Sequence, residues 1–162
     1  MNQIRLTLFL FLGLGVLMPS SAQKVYNFGL EDLDGEWHEF EELRGDELTI
    51  IDFWASWCKP CMKSMPKIDD IYKSYKTDGL NVISINTDGP RSISKVLPLS
   101  QTLNISYPVL SDINNEVSEE LNVSVLPTLL LVDKKGQIIW RHEGWSAGDE
   151  KEIEAYVKKS IQ

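Results

Sequence analysis

Residues 48–61 read LTIIDFWASWCKPC and combine two local patterns. The first seven residues are aliphatic, aromatic or β-branched apart from Asp52, without polar alternation, which predicts a strand buried on both faces. After Cys58 apolar residues recur every three or four positions as far as the stop signal Asp78-Gly79, which predicts a helix. The two cysteines of the chain therefore lie where a central strand meets a helix.

The rest of the pattern predicts an α/β fold with the order β-β-β-α-β-α-α-β-β-α. A strand, a helix and a further buried strand form a right-handed crossover, so we expect a mixed sheet flanked by helices. Strands are predicted at 25–30 and 36–40 around the turn Asp34-Gly35, at 80–85, and at 129–132 and 137–140 around a turn at 133–136. Helices are predicted at 92–103, 114–121 and 149–161, the last capped by Asp149, with a short extended piece at 107–110.

Composition narrows the class of protein. The chain has 162 residues, of which 43% are hydrophobic and 25% charged, the balance of one globular domain. Its 16 basic and 24 acidic residues give a formal charge of -8. Such a field repels phosphate backbones and anionic lipid, so nucleic-acid binding is disfavoured.

The first 22 residues have the pattern of a secretory signal peptide. Arg5 supplies positive charge, residues 6–18 form an apolar run, and residues 19–22 are a small-residue cleavage site ending at Ala22. An uncleaved anchor is the alternative, but the run is shorter than the roughly 17 to 25 residues of a spanning helix. We therefore expect a single exported domain at 23–162, periplasmic or secreted, without membrane insertion after cleavage.

The cysteine pair carries the chemistry, because unpaired thiols in an oxidising compartment become disulfides. Cys58 in the first helical turn meets free backbone N–H groups and the positive end of the helix dipole, which stabilise a thiolate nucleophile. Cys61 follows at i+3 on the same face and is the candidate resolving thiol. Lys59 adds positive charge, and Pro60 is tolerated in a first helical turn.

Two other interpretations of the pair stay open. A structural disulfide across so short a loop contributes only about 2 kcal/mol, against nearly 5 kcal/mol for a long loop. A zinc site needs two further ligands, for which the chain offers His38, His142 and carboxylates without a recognised spacing. Both interpretations are weaker than redox chemistry, and no metal is expected.

Residues 52–61, DFWASWCKPC, resemble the active-site segment of the thioredoxin superfamily. Leu126-Pro127-Thr128 is similar to the cis-proline loop of that superfamily, and Gly136 and Gly144 match its late glycines. The N-terminal hairpin and the insertion at 92–121 resemble the TlpA/ResA-like branch of exported thiol-disulfide oxidoreductases. The resemblance implies a thioredoxin-like fold with an N-terminal β-hairpin and an inserted helical segment.

The resemblance also implies roles for single residues. A cis bond at Leu126-Pro127 would present backbone groups to an extended client segment. Asp52 matches the buried carboxylate that takes the proton of the second cysteine, so burial should raise its pKa toward neutrality. Trp57 is expected to cover the thiol. Trp57, Lys59 and Pro60 are expected to contact the substrate. Trp54 is expected to pack beneath the loop.

Two positions depart from the branch pattern. Many relatives carry Asn where this chain has Asp52. The acidic residue that some carry near the cysteines falls here at Gly89, with Asp88 adjacent, so the role of Asp88 stays open.

The activity implied is that of a monomeric protein-disulfide reductase that works through a mixed disulfide and needs no cofactor. A membrane protein would donate its electrons, and proteins with cysteine pairs, including apocytochromes c, would be its clients. An oxidase or isomerase is the alternative direction. A copper chaperone of this fold prefers three residues between its cysteines, and a thiol peroxidase needs a nearby Thr and Arg, so both classes are disfavoured.

Overall fold

The computed structural model describes residues 23–161, so the predicted signal peptide at 1–22 lies outside the described residues. One seven-stranded mixed sheet organises this part of the chain, with the order β2-β1-β5-β4-β3-β6-β7. The strands are β1 (Gly29–Asp32), β2 (Trp37–Glu39), β3 (Leu48–Trp54), β4 (Leu80–Asn86), β5 (Val109–Ser111), β6 (Thr128–Asp133) and β7 (Ile138–Glu143). The helices are α1 (Phe40–Leu43), α2 (Lys59–Tyr75), α3 (Val96–Leu103), α4 (Glu116–Glu120) and α5 (Asp149–Ile161).

Strand β3 is central and buried along its whole length, as predicted. It pairs in parallel with β4 and antiparallel with β6, and β4 pairs in parallel with β5. Side chains alternate between the two faces of a strand, so Leu48 and Ile50 pack with α2 and α5. Ile51 and Phe53 pack on the other face with residues of α1 and α4. The predicted mixed sheet with helices on both faces is confirmed.

The N-terminal hairpin exists, but the predicted strand bounds are wrong. The strand expected at 25–30 begins only at Gly29, because Val25 is held elsewhere, by its N–H to the carbonyl of Gly136 (2.8 Å). Phe40 does not end the second strand; it begins α1, where Glu39 and Glu42 form a reciprocal capping box. The buried Phe40 ring makes this short helix part of the core.

The insertion also differs from the prediction. The extended piece expected at 107–110 is a true sheet strand, β5, which joins β4 to the hairpin strand β1. The helix expected at 92–103 starts as a 3-10 turn before α3, and the one expected at 114–121 shortens to α4. The predicted element order therefore lacked α1 and β5.

Asp149 begins α5 but does not cap it in the expected way. Its carboxylate accepts the N–H of Ser146 (2.7 Å), which precedes the helix, and pairs with His142 Nε2 (2.9 Å). The side chain thus ties the helix to β7. No helix within residues 23–161 is both long enough and apolar enough to cross a bilayer.

The described chain starts at the turn between β6 and β7. Lys24 forms a bridge with Gln137, and the carbonyl of Gln23 accepts the N–H of Ile138 (2.9 Å). Since Asp133, at the end of β6, pairs with Leu48 at the start of β3, this turn lies at the amino end of β3. The cysteine loop follows the opposite end of β3.

Candidate active site

The loop between β3 and α2 places Cys58 at the N-terminus of the longer helix. Cys58 is the N-cap residue, and its Sγ accepts the N–H of Cys61 (3.3 Å). The two cysteines form a disulfide with a Cα–Cα distance of 5.3 Å. The same N–H and the helix dipole are positioned to stabilise a Cys58 thiolate after reduction. The predicted placement of both cysteines is confirmed.

The disulfide lies under an exposed rim. Cys58 exposes 3% of its surface and Cys61 none, and both pack with Trp54, which lies beneath the loop as expected. Trp57 is 68% exposed, so most of its ring faces solvent and is open to a partner. Lys59 and Pro60 are exposed beside it. The rim therefore offers aromatic, basic and apolar groups to an incoming chain.

The Leu126-Pro127 peptide bond is cis, as predicted. Thr128, the next residue, pairs with Phe53 near the end of β3, and Leu126 packs against the cluster that contains the disulfide. The Pro127 carbonyl accepts the N–H of Gly144 (2.8 Å), which fixes the loop and engages that carbonyl within the protein. Of the two residues, Leu126 is the more accessible: it is half-buried, whereas Pro127 is buried.

Asp52 lies on the face of β3 covered by α2, the helix that carries Cys61. Its side chain is fully buried, and neither carboxylate oxygen makes a hydrogen bond to the described residues. Burial raises the pKa of Asp52 to about 7, the direction predicted from the sequence. A carboxyl group with this pKa is a suitable proton acceptor at neutral pH.

Asp88 is a site residue whose function the sequence left open. It follows β4, and its carboxylate accepts the backbone N–H of Ser56 and, at 2.8 Å, the Ser56 hydroxyl. Burial alone raises the pKa of Asp88, but hydrogen bonds from Ser92, Ser56 and Asn86 outweigh it and hold the pKa below its usual value. Because Ser56 is two residues before Cys58, the Asp88 carboxylate fixes the cysteine loop to β4.

Asp88→Asn is expected to destabilise the protein by about 1–3 kcal/mol, since two donors of Ser56 lose a charged acceptor. The folded-state pKa is lowered, so the stabilisation is present above the unfolded-state pKa and is lost as pH falls through the folded-state value. Denaturant unfolding measured between pH 3 and 7 checks both expectations. Asp46→Asn, at an exposed carboxylate, is the matched control, and equal losses in the two variants would contradict the role of Asp88.

The structure does not bring either histidine to the cysteines. His142 is paired with Asp149, and His38 Nε2 lies 3.0 Å from Asp32 Oδ2 in the hairpin. Within residues 23–161, the group of possible metal ligands that lie together is Asp32, Glu36 and His38, and it contains no cysteine. The zinc interpretation of the cysteine pair therefore gains no support from the geometry.

Comparison with known proteins identifies the family. The family model described as "AhpC/TSA family" matches residues 22–141 of this chain. The chain belongs to this family. Thiol-disulfide oxidoreductase ResA of Geobacillus kaustophilus is 33% identical over 113 residues, covering 69% of this chain and 63% of that protein. The ResA protein of Bacillus thuringiensis subsp. konkukian is 32% identical over 133 residues, covering 82% of this chain and 74% of the relative.

Solved structures confirm the thioredoxin-like fold of this AhpC/TSA family member. A putative thiol:disulfide interchange protein DsbE from Chlorobium tepidum superposes with a TM-score of 0.80 at 23% identity, covering 87% of this chain and 97% of the other. StoA from Bacillus subtilis gives a TM-score of 0.67 at 22% identity, covering 82% and 97%. With its Cys58–Cys61 disulfide, the chain is a thiol-disulfide oxidoreductase of the ResA type, as the resemblance predicted.

Proposed function

We propose that this protein is an exported, periplasmic protein-disulfide reductase of the kind that serves cytochrome c maturation or a related pathway. The observation that carries the proposal is the Cys58–Cys61 disulfide at the N-terminus of α2, with the buried carboxyl of Asp52 on the strand beneath it. The signal-like residues 1–22 support export, with cleavage after Ala22. The relatives named ResA support the class of reaction.

Reduction of a client begins at Cys58. The Cys58 thiolate attacks one sulfur of the client disulfide, the client S–S bond breaks, and the other client sulfur leaves as a thiolate. Asp52 then takes the proton of the Cys61 thiol, and the Cys61 thiolate attacks Cys58 Sγ. The mixed disulfide breaks, the second client sulfur leaves, and the Cys58–Cys61 disulfide seen in the structure forms. Two electrons pass from the enzyme to the client.

The exposed rim of the loop suits a protein client. Trp57, Lys59 and Pro60 are exposed beside the disulfide, and the half-buried Leu126, which precedes the cis Pro127, packs against the disulfide cluster. Large amphipathic side chains of this kind favour extended segments of another chain. We propose that the protein acts as a monomer, with the cysteine pair as its redox group and no further cofactor, and that a membrane protein re-reduces it.

The direction of electron flow is set by the reduction potential of the pair. Pro60 next to Cys61, the carboxyl of Asp52 and the resemblance to the TlpA/ResA-like branch favour a reductant. Redox titration of the Cys58–Cys61 pair against glutathione or dithiothreitol is expected to give a potential more negative than about -200 mV. A value near the -120 mV of DsbA would reverse the assignment and make the protein an oxidase.

Copper titration of the wild type and of Cys58→Ser distinguishes an oxidoreductase of either direction from a copper chaperone. A copper chaperone would bind copper tightly without disulfide turnover.

A further inference from the structure

Asp52 has a polar neighbour on the adjacent strand. In the parallel pairing of β3 with β4, Asp52 is in register with Ser84. Residues in register project to the same face of a sheet, so both side chains point toward α2. Both residues are fully buried, and within the described part of the chain neither the Ser84 hydroxyl nor the Asp52 carboxylate has a hydrogen-bond partner.

A buried hydroxyl at position 84 is not explained by packing. The residues that share this face of β4 and β3, Val82 and Ile50, are apolar and fully buried, and Leu129 on β6 packs with them. A serine hydroxyl without a partner is unfavourable in such surroundings. The unfavourable group is, however, located beside the carboxyl group that most needs a donor. The register of β3 with β4 thus places two buried polar groups without partners in the described part of the chain on neighbouring strands.

The other titratable groups around Asp52 do not supply that donor. Cys61, from α2, holds the proton that Asp52 is to receive. The Tyr107 hydroxyl, before β5, donates to the Met65 carbonyl (3.2 Å), and burial raises its pKa well above the usual value, so it stays neutral. Asp69, further along α2, is bound to Ser106 and Lys73.

Within the described residues, the indole N–H of Trp54 is a second buried donor without a partner, besides the Ser84 hydroxyl. It lies two residues after Asp52 on the same strand, and such residues are about 6.6 Å apart, whereas neighbouring strands are only about 4.8 Å apart. Ser84 is therefore the closer backbone position to Asp52. A rotation about the Cα–Cβ bond of Ser84 also turns its hydroxyl between staggered positions.

We propose that Ser84 is a positioning residue for the Asp52 base: its hydroxyl donates a hydrogen bond to the ionised carboxylate and sets the pH range in which Asp52 accepts the proton of Cys61. The proposal rests on the proposed function, in which Asp52 is that acceptor. Burial disfavours the charged form of Asp52, and a donor that bonds more strongly to the charged form than to the neutral form opposes this effect of burial. The carboxylate is thereby kept partly ionised near neutral pH, where a general base is effective.

The experiment is a titration of the oxidised protein labelled with 13C at aspartate carboxyl carbons. NMR follows the Asp52 signal in the wild type, Ser84→Ala, Ser84→Thr and Trp54→Phe. Ser84→Ala is expected to lower the ionisation constant of Asp52 about threefold to tenfold, because the ionised form loses a charge-assisted hydrogen bond. Ser84→Thr, which keeps the hydroxyl, is expected to restore most of the wild-type value.

Ser118→Ala is the matched control. It removes a buried hydroxyl on α4 that donates to the Asn115 carbonyl (3.1 Å), and it is expected to leave the Asp52 titration unchanged. An unchanged titration in Ser84→Ala, or equal shifts in the Ala and Thr variants, would overturn the proposal. A shift that appears only in Trp54→Phe would also overturn it, since the indole would then be the donor.

A kinetic measurement separates this proposal from the proposed function. The rate at which Cys61 releases a client from the mixed disulfide is measured against pH in the wild type and in Ser84→Ala. The midpoint is expected to rise by about half to one pH unit, with the rate at high pH retained. If the NMR midpoint moves but the kinetic midpoint does not, the contact between Ser84 and Asp52 stands, whereas Asp52 is not the base and the proposed function is wrong on that point.

Discussion

Cys61→Ser is expected to accumulate client proteins bound covalently to Cys58 and to lose more than about a thousandfold of disulfide turnover. The remaining thiol of Cys58 still attacks a client disulfide, but the mixed disulfide cannot be resolved from within the protein. Intramolecular attack corresponds to effective concentrations of about 10⁵–10⁸ M, which no dissolved thiol reaches. Cys61 is fully buried in α2, three residues after Cys58, so an external thiol has no equivalent access to its position.

Non-reducing electrophoresis of the protein purified from its native compartment, followed by mass spectrometry of the adducts, measures the trapping. Insulin reduction with dithiothreitol as electron source measures the turnover. Cys58→Ser is the matched control, because it removes the thiol assigned as the nucleophile and leaves Cys61. Adducts that form on Cys58→Ser as readily as on Cys61→Ser would contradict the roles assigned to the two cysteines.

Asp52→Asn is expected to have the largest effect on stability, and the effect depends on pH. The carboxyl of Asp52 has a pKa near 3.8 when solvated and about 7 in the folded protein. Between these values the unfolded chain has released a proton that the folded protein still holds, so the stability of the wild type falls as pH rises through this range. The two pKa values of Asp52 differ by about three units, which corresponds to about 4 kcal/mol in the free energy of unfolding. The wild type has lost this stability in full above pH 7.

Asp52→Asn removes the ionisable group and therefore the loss of stability that accompanies its ionisation. We therefore expect Asp52→Asn to be more stable than the wild type at pH 8, by up to about 4 kcal/mol, and to differ little at pH 4. Urea unfolding at a series of pH values, with the exposed Asp46→Asn as control, provides the test. Parallel stability curves for the wild type and Asp52→Asn would show that Asp52 ionises as an ordinary surface carboxyl.

The same substitution is expected to slow the resolving step about a hundredfold near pH 8, because a general base contributes about 10²–10⁴-fold. Below pH 5 the wild-type carboxyl is protonated, and the two proteins are expected to react at similar rates. Rapid-mixing measurement of product release from a preformed mixed disulfide checks this difference. A gain in stability combined with a loss of rate is the signature of a residue kept for chemistry at a cost to the fold.

The sequence predicted the centre of the fold because local and tertiary preferences agree there. Residues 48–54 have no polar alternation, and the stripe that follows Cys58 has helical spacing, so β3, α2 and the position of the cysteines needed no knowledge of the surroundings. Short elements were not predictable in the same way. Helix α1 has four residues and β5 has three, and each is stabilised by what it packs against rather than by its own pattern.

The supporting residues of the site depend on neighbours that are distant in the sequence. Asp88 is 32 positions from Ser56, and its function follows from the fact that β4 ends beside the cysteine loop. Ser84 is likewise a single hydroxyl in an apolar strand until the register of β3 with β4 places it next to Asp52. Residue type alone predicts neither the register of two strands nor the position of a loop. The redox function of two cysteines at i and i+3, in contrast, can be predicted from their spacing in the sequence.

The attachment of Gln23 and Lys24 beside the β6–β7 turn has a practical consequence. A strand of seven residues is about 23 Å long, so β3 separates the first described residues from the redox centre by roughly that distance. A reporter, an affinity handle or a lipid-facing tether fused ahead of Gln23 would emerge from the end of the molecule opposite the cysteine loop. Immobilised through that end, the enzyme would keep its disulfide directed outward, toward bulk solution.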